Sequence, residues 1–486
     1  MAYNHGVRIL EKPTSLTAPI LSTAAFQVVI GVSPVNLAED PYKATNIVKF
    51  AYSFAEASAA VGYSNNLKDY TLNQSISATF KKFAVAPIAL INVLDPKKHK
   101  DAIPKKSYQV DSMQVTVNIE GILLDTLVVE SGETELQKDT DYITGFNDDG
   151  YAVITLLESG AGAEATTLSI SGEKIDPSKV TKNDIIGGYN VATGKESGLE
   201  LVRQVFPLFG MTPGIITAPG YSKDPVVASV MAVKCLKING LFTCECITDL
   251  DCTNDGATKY TDVKTVKEKS GFVSEHMSVV WPKARIGDEV YYFSAIYSAL
   301  FAFIDASNDD VPNLSAGNKA IPITGLCLDD AADSEIVIDQ EQANMVNSFG
   351  VSTAINFKGF RSWGNNSAAY PGTSDPKDRW FCCRRFFSWW GNSFILSYFQ
   401  KVDDPANTRL IQSLCDAENI RGNSYVAQNK CAGARITYSE DENPITDILN
   451  GKIQFHQYLA PYTPAEDILN VLEFDPTMLE AALGGE

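Results

Sequence analysis

The hydrophobic pattern of this chain changes its period twice, and this change restricts the folds that the chain can adopt. Between residues 43 and 94 the apolar residues follow helical spacing and lead into a continuous apolar run, Ile88–Val93, which is typical of a strand buried on both faces. The next stretch alternates with a period of two, as at Val115 and Val117, and helical spacing returns near Asn183. The pattern predicts a mixed-sheet α/β core that is interrupted by an all-β insertion.

The insertion is bounded by a change in composition. Asp95–Lys106 contains five lysines and two prolines, which predicts a linker rather than a regular element. Asp149-Gly150 predicts a hairpin turn. Further strands of the insertion are predicted at Leu127–Glu130, Tyr142–Phe146, Tyr151–Leu157 and Thr167–Ser171.

The α/β core is predicted to begin with Phe26–Val32, a nearly continuous apolar strand. Gly214–Gly220 predicts a strand that ends in a loop, and it is followed by a predicted helix, Pro225–Ile238, and a predicted strand, Leu241–Thr248. This order of strand, helix and strand predicts a second α/β unit after the insertion.

The stretch from Asn356 to Ile468 contains turns and aromatic residues but no catalytic signature. It predicts a packed apolar block with an extended segment on its far side. Its most characteristic residues are Asn356, Gly359, Trp363-Gly364, Arg384-Arg385, Asp404-Pro405-Ala406-Asn407 (a turn that opens a helix) and Pro464-Ala465-Glu466-Asp467-Ile468.

Both ends of the chain predict extended segments. Ile468–Phe474 alternates, with Ile468, Leu472 and Phe474 on one face and Leu469 and Val471 on the other, and a short helix or a frayed tail follows it. At the other end Val7, Ile9 and Leu10 can form a short strand ahead of a proline-containing connector. The residues alone leave two interpretations of this N-terminal piece, a frayed tail or an arm that leaves its own subunit.

Charge and cysteine usage exclude several classes of protein. The formal net charge is −19, which is the opposite of the basic footprint that nucleic-acid binding requires. Nine cysteines without the spacing of a stapled domain favour synthesis in a reducing cytoplasm. The N-terminus does not have the pattern of a signal peptide, and no apolar run approaches the length of a membrane helix.

The charge is distributed unevenly near the C-terminus. The last 47 residues hold ten acidic residues and one lysine, whereas Arg361–Lys401 holds six basic and two acidic residues. Two alternatives fit this contrast: two solvated faces, or an acidic segment that meets a basic face in the same or another subunit. The basic residues singled out as facing an arm or a tube are Arg361, Arg379, Arg384 and Arg385.

Three candidate sites for chemistry are discounted. Gly188–Glu196 has five residues between its glycines and a glutamate after its lysine, so it does not match a phosphate-binding loop. Asp251–Gly256 half-matches a calcium loop but has Thr253 and Asp262 at ligand positions. Cys244, Cys246 and Cys252 lack zinc-ligand spacing, and buried thiols are the default interpretation. No catalytic, cofactor-binding or metal-binding residue is predicted.

The order of these features along the chain resembles the contractile tail sheath proteins of bacteriophages and phage tail-like particles such as R-type bacteriocins. The residues that follow Phe474 are unusual for that family. The resemblance implies a structural protein rather than an enzyme; the alternative is a soluble cytosolic α/β enzyme with a β-sandwich appendage. It also implies a multidomain α/β and α+β fold with a C-terminal sheath domain and extended terminal arms.

The domain boundaries that follow from this resemblance are an N-terminal arm (1–23), a discontinuous α/β core (24–95 and 180–355), the all-β insertion (107–175), the C-terminal sheath domain (356–467) and a C-terminal arm and tail (468–486). The intersubunit arm strands would use Val7, Ile9, Leu10, Ile468, Leu469, Val471, Leu472 and Phe474.

The partners implied by the resemblance are copies of the chain itself, in hexameric rings stacked as a helical sheath, together with an inner tail tube protein and baseplate and tail terminator proteins. Neither nucleic acid nor direct membrane insertion is implied, and no cofactor is. The expected location is a virion tail or a tail-like particle, after synthesis in the cytoplasm of a host bacterium.

Overall fold

The computed structural model describes residues 20, 21 and 23–484, and its largest element is an eight-stranded mixed sheet. The six inner strands are parallel and the two outer strands run antiparallel to them. In spatial order the strands are Phe360–Trp363, Val351–Asn356, Met277–Val280, Glu245–Asp249, Ile215–Thr217, Gln27–Gly31, Ile88–Asn92 and Val48–Ala51.

The inner strands are buried on both faces. Val28 and Ile30 pack into the main hydrophobic cluster, while Val29, between them, packs into a second cluster that contains helix Phe54–Val61. Because side chains alternate between the faces of a strand, two clusters mean that both faces are covered. The nearly continuous apolar runs of the sequence follow from this double burial.

The helices are short in the α/β region and longer towards the C-terminus. Several begin at a side-chain cap, such as Ser53 and Asp224, each of which accepts a hydrogen bond from a backbone N–H of the first turn. The helices are Phe54–Val61, Thr71–Ile76 (continued by the π-helical Ser77–Lys82), Lys182–Ile186, Val205–Phe209, Pro225–Leu236, Val263–Ser270, Phe293–Ala306, Gln340–Ser348, Pro376–Arg379, Phe381–Tyr398, Thr408–Ala427, Ile445–Leu449 and Pro476–Ala482.

The predicted all-β segment forms two small sheets around a hydrophobic cluster of its own. The predicted hairpin is present, with Phe146 paired to Ala152 across a turn where Gly150 has a φ of +80°. The strands, in spatial order, are Lys100–Gln109, Thr167–Ile175, Val128–Ser131 and Thr134–Glu135 in one sheet, and Tyr142–Phe146, Ala152–Leu156 and Gln114–Val117 in the other.

The prediction that Asp95–Lys106 is a linker is wrong for the second half of this stretch. A strand begins at Lys100 and pairs along its length with Thr167–Ile175. Its lysines are compatible with a strand because most of its side chains are exposed, and charged side chains are common on strands that face solvent.

Besides the two-stranded sheet of Gly433–Thr437 and His456–Ala460, three further small sheets accompany these. They contain Glu289–Tyr291, Lys283–Ile286, Gly325–Cys327 and Glu335–Ile336; Gly188–Asn190 with Lys195–Ser197; and Ile20–Leu21 with Val85–Ala86. The chain therefore has the predicted mixed α/β fold with several sheets, and the boundaries of its domains stay a prediction.

Candidate functional site

A two-stranded antiparallel sheet near the C-terminus has one covered edge and one open edge. Its strands are Gly433–Thr437 and His456–Ala460. The first strand faces helix Thr408–Ala427, where the Asn419 amide accepts from the Ile436 N–H at 2.9 Å and donates to the Ile436 carbonyl oxygen at 3.2 Å. Within the described chain, no strand pairs with the outer edge of His456–Ala460. An open edge of this kind offers unpaired backbone groups to another chain.

The covered edge is also closed by a tight helix contact. At Gly422, a Cβ atom would lie 2.4 Å from the carbonyl oxygen of Ala434, so only glycine allows the helix to approach the strand this closely. Asn407 starts this helix by accepting from the Leu410 N–H at 2.9 Å, as predicted for the turn at Asp404–Asn407. The helix is thus fixed both at its start and against the sheet.

Aromatic side chains pack beneath the sheet around a buried carboxylate. Glu418 is fully buried and accepts from Trp390 Nε1 at 2.8 Å and from the Tyr398 hydroxyl at 3.2 Å, and it pairs with Arg421 at 3.1 Å. Burial and this carboxylate raise the pKa of Tyr398 to about 12. The surrounding cluster contains Val311, Phe386, Trp390, Cys431 and Ala434, with Trp389, Tyr425, Val426 and Leu459 packed against it. The sheet therefore has a rigid base on one face.

The C-terminal segment leaves this sheet and is exposed along its described length. Every residue from Ala465 to Gly484 is exposed. The five apolar side chains of the predicted arm strand are between 70% and 87% exposed; they are Ile468, Leu469, Val471, Leu472 and Phe474. The predicted strand Ile468–Phe474 is not formed within the subunit, because a strand needs a partner for its backbone hydrogen bonds and the described residues supply none.

Two contacts anchor the start of this segment to its own subunit. Arg379 Nη2 binds Glu466 Oε2 at 2.7 Å, and the Cys383 thiol lies 3.9 Å from the Tyr462 carbonyl oxygen. The Arg379 guanidinium also stacks over the ring of Trp380 at 4.0 Å. The acidic segment thus meets a basic residue of its own chain, and the exposed residues begin just beyond that point.

The other basic residues singled out in the sequence are separated from one another. Arg361 donates to the Asn318 carbonyl oxygen at 2.9 Å, and Arg384 pairs with Asp378 at 3.3 Å. Arg385 is buried and its guanidinium binds the buried carboxylate of Asp305 at 2.5 Å. This pair places Arg385 inside the subunit, not on a surface that could face an arm or a tube.

The Asp305–Arg385 pair joins the α/β region to the C-terminal region that carries the small sheet. Asp305 belongs to helix Phe293–Ala306, and Arg385 belongs to helix Phe381–Tyr398. Burial raises the pKa of Asp305, and the neighbouring guanidinium offsets only part of that rise. A buried pair of this kind is sensitive to the loss of either partner.

Several predictions lie outside this geometry. Val7, Ile9 and Leu10 fall outside the residues that the structure describes, so their role stays a prediction. The strands Gly433–Thr437 and His456–Ala460 were missed from the sequence. The usable signal was the alternation of His456 and Tyr458 with Gln457 and Leu459, but five residues are too few to distinguish a strand from a loop.

The discounted chemical sites have ordinary local structures. Gly188–Asn190 and Lys195–Ser197 form a hairpin, and Cys244, Cys246 and Cys252 are buried. Among the described residues, no group of three or more His, Cys, Asp and Glu side chains is arranged to hold a metal ion. None of the described helices combines the length and the hydropathy that crossing a membrane requires.

Comparison with known proteins gives one consistent result, although no family model matches the chain. The chain is 24% identical to the tail sheath protein of Burkholderia phage BcepMu over 496 residues, which cover 99% of each chain. It is 25% identical to the major tail sheath protein of Serratia phage KSP20, over 69% of this chain and 83% of the relative.

The predicted resemblance to contractile tail sheath proteins is confirmed. The fold agrees with it: the sheath of an extracellular contractile injection system, solved in the contracted state, superposes with a TM-score of 0.58 at 13% identity, covering 98% of this chain and 99% of that one. The predicted function of a contractile tail sheath protein is confirmed with it, and the alternative of a soluble enzyme has no support among these proteins.

Proposed function

We propose that copies of this sheath protein polymerise as stacked rings around an inner tube, joined by strands that each copy donates to the small sheet of a neighbour. The proposal rests on one observation: a sheet with an open edge at His456–Ala460 and an alternating apolar segment, Ile468–Phe474, occur in the same chain without pairing to each other. Addition of a strand to an open edge satisfies the backbone groups of both.

The incoming strand is proposed to pair with the outer edge of His456–Ala460. Asn419 and Gly422 close the edge of Gly433–Thr437, so an incoming strand is accommodated beside His456–Ala460. Leu459 of that strand packs against the aromatic cluster, while His456 and Tyr458 face away from it. An added strand would extend the sheet over the same base and bury alternate apolar side chains of Ile468–Phe474.

A single donated strand binds weakly. Burying three or four large apolar side chains stabilises the docked strand by about 5–10 kcal/mol, and fixing seven residues opposes this by about 7–14 kcal/mol. The sum is near zero before hydrogen bonds are counted. Two arms on a preassembled ring act together through their effective concentration. We therefore expect that free subunits stay largely unpolymerised and that a growing tail acts as their template.

The mechanical role follows from the same connections. Subunit bodies would rearrange from an extended to a contracted state while the donated strands keep neighbours joined, and the interfaces would supply the work without a cofactor. The inner tube would then be driven through a bacterial envelope. The tube, baseplate and terminator proteins are partners in this proposal, and the particle is a virion tail or a tail-like particle assembled after synthesis in a host cytoplasm.

The all-β segment would form a domain on the outside of the sheath. Residues 107–175 hold thirteen acidic and two basic residues, a net charge of −11. With the −9 of the last 47 residues this makes −20, so the rest of the chain is almost neutral. Like charges on the outside would keep separate sheaths from associating.

The test is the removal of the donated strand. A chain that ends at Asp467 is expected to unfold at the same urea concentration as the full chain but to form no striped cylinders in negative-stain micrographs under conditions where the full chain does. A chain that lacks residues 1–20 should behave in the same way. Cylinders of normal length from either truncated chain would contradict strand donation.

A further inference from the structure

The helix that follows the donated strand, Pro476–Ala482, has a well-defined start, and every one of its residues is exposed. Asp475 accepts from the Thr477 N–H at 2.9 Å, and Pro476 stands at the first helical position, so the sequence specifies the start of the helix. Met478, Leu479 and Leu483 are each at least half exposed. A seven-residue helix is not stable by itself in water, so this one needs a surface to cover its apolar face.

A groove of about 640 Å³ lies beside the small sheet and is open to solvent. It runs between the start of helix Thr408–Ala427 and the end of strand Gly433–Thr437. Its apolar lining includes Ile411, Ile436 and Ile448, and the exposed side chains of Ile445 and Leu449 belong to the short helix that contains Ile448. Cys415 also lines it.

The geometry of strand donation brings this helix to this groove. Antiparallel pairing is the more common and the more stable arrangement between strands. A donated strand that is antiparallel to His456–Ala460 runs towards His456, which is paired with Thr437 at the end of the sheet. Thr437 and Tyr438 line the groove. Only Asp475 separates Phe474, the last apolar residue of the donated strand, from the helix, so the helix would begin at the end of the sheet where Thr437 and Tyr438 lie.

We propose that Pro476–Ala482 of one subunit docks into this groove on the neighbouring subunit that receives its strand, and locks the donated strand in place. This inference rests on the proposed strand donation. Met478, Leu479 and Leu483 would cover Ile411, Ile436 and Ile448.

A native cysteine in the groove allows this contact to be tested by disulfide cross-linking. Eight of its nine cysteines are buried, and the remaining one, Cys415, is half-buried and lines the groove. In assembled cylinders, Leu479→Cys is expected to give a ladder of disulfide-linked multimers on mild oxidation, seen on a non-reducing gel. The ladder should disappear when Cys415→Ser is added. Ala481→Cys, which points about 160° away from Leu479 around the helix, is the matched control and should give at least tenfold less product.

The outcomes separate the alternatives. A cross-linked species that migrates as a monomer would place the helix in the groove of its own subunit and overturn the proposal. Cylinders of the Leu479→Cys protein that yield no Cys415-dependent product would overturn it as well.

Truncation keeps the proposal testable if the cysteine variant does not assemble. A chain that ends at Phe474 keeps the strand and lacks the helix; its cylinders are expected to form but to dissociate at a lower urea concentration than those of the full chain. Equal resistance to urea would overturn the helix proposal alone. Strand donation itself fails if the chain that ends at Asp467, or the chain that lacks residues 1–20, also forms cylinders of normal length, so the two failures are distinguishable.

Discussion

The central sheet and the small C-terminal sheet differ in how their strand edges are paired. The inner strands of the central sheet, such as Ile88–Asn92, are buried, and both of their edges are paired within the subunit. In the C-terminal sheet one edge is closed by Asn419 and the other is open. The apolar segment suited to that edge, Ile468–Phe474, lies exposed on the same chain.

The difference separates two requirements on one sequence. The subunit must fold alone, which the doubly covered central sheet achieves with apolar strands that are buried on both faces. The polymer must form only when copies meet, which requires apolar surface that the subunit leaves uncovered. Under the proposed strand donation, the exposed apolar segment and the incomplete sheet serve assembly and are not defects of folding.

The largest loss of subunit stability is expected where the α/β region and the C-terminal region are joined by the Asp305–Arg385 pair. Arg385→Ala would leave the buried Asp305 carboxylate without its partner and lower the free energy of unfolding by about 3–5 kcal/mol. Urea denaturation of the unassembled subunit measures this loss. The neighbouring Arg384→Ala is the control, because its partially exposed pair with Asp378 is worth less than about 1 kcal/mol. Equal losses in both variants would show that the junction does not depend on the buried pair.

A second, smaller loss of stability is expected within the α/β region, at the partly buried carboxylate of Asp329. Asp329 binds Lys223 at 2.5 Å, Lys283 at 3.1 Å and the Tyr292 hydroxyl at 2.9 Å. Burial alone would raise the pKa of Asp329, but the two lysines outweigh it and hold that pKa below its ordinary value. Its contribution to stability is therefore complete above the unfolded-state pKa of about 4 and is lost as the pH falls through the lowered folded-state pKa.

Asp329→Asn should remove that contribution. At neutral pH the free energy of unfolding should fall by about 2 kcal/mol, because hydrogen bonds to a charged group are replaced by weaker ones. The decline of stability between about pH 5 and pH 2 should be shallower than in the parent chain, measured by denaturation at a series of pH values. An unchanged slope would mean that other carboxylates carry the acid sensitivity of the α/β region.

The third effect tests the closed edge. Asn419→Ala would leave the N–H and the carbonyl oxygen of Ile436 without their partner, and we expect a loss of about 1–2 kcal/mol in the free energy of unfolding. It would also expose a second sheet edge, which should increase aggregation of the free subunit, measured by light scattering. Ser413→Ala on the same helix is the control, since Ser413 donates only to the exposed turn at Leu410. Similar scattering from both variants would argue against the closed edge.

The sequence predicts the central sheet better than the assembly site, for a physical reason. Strands such as Phe26–Val32 are recognisable because double burial favours a nearly continuous apolar run. The strands Gly433–Thr437 and His456–Ala460 have one covered face and five residues each, so their pattern is weak. The side chains that close an edge, such as Asn419 and Gly422, depend on contacts with residues distant in the sequence, and no local pattern encodes those contacts.

The basic residues illustrate the same limit. The sequence places Arg384 and Arg385 side by side, and in a helix adjacent residues point in directions about 100° apart. Arg385 turns into the core to meet Asp305, 80 positions earlier, while Arg384 stays near the surface with Asp378. Sequence alone gave both the same charge and the same predicted role, and only the packing of two helices distinguishes them.

The smallest effect on the subunit is expected in the exposed segment, and one matched pair of substitutions measures the contrast directly. Leu90→Ala in the central sheet removes a fully buried side chain, so the free energy of unfolding should fall by about 2–5 kcal/mol. Leu472→Ala removes a side chain that is 87% exposed, so the same measurement on the free subunit should change by less than about 0.5 kcal/mol.

Assembly should reverse this order of sensitivity, because the Leu90→Ala chain keeps its arm whereas the Leu472→Ala chain loses an apolar contact at every donated strand. Cylinder formation, followed by sedimentation below the unfolding transition of both variants, should therefore be weakened more by Leu472→Ala. If Leu472→Ala instead destabilised the free subunit as much as Leu90→Ala, the segment would be packed on its own chain in solution, and the contrast between the two sheets would not hold.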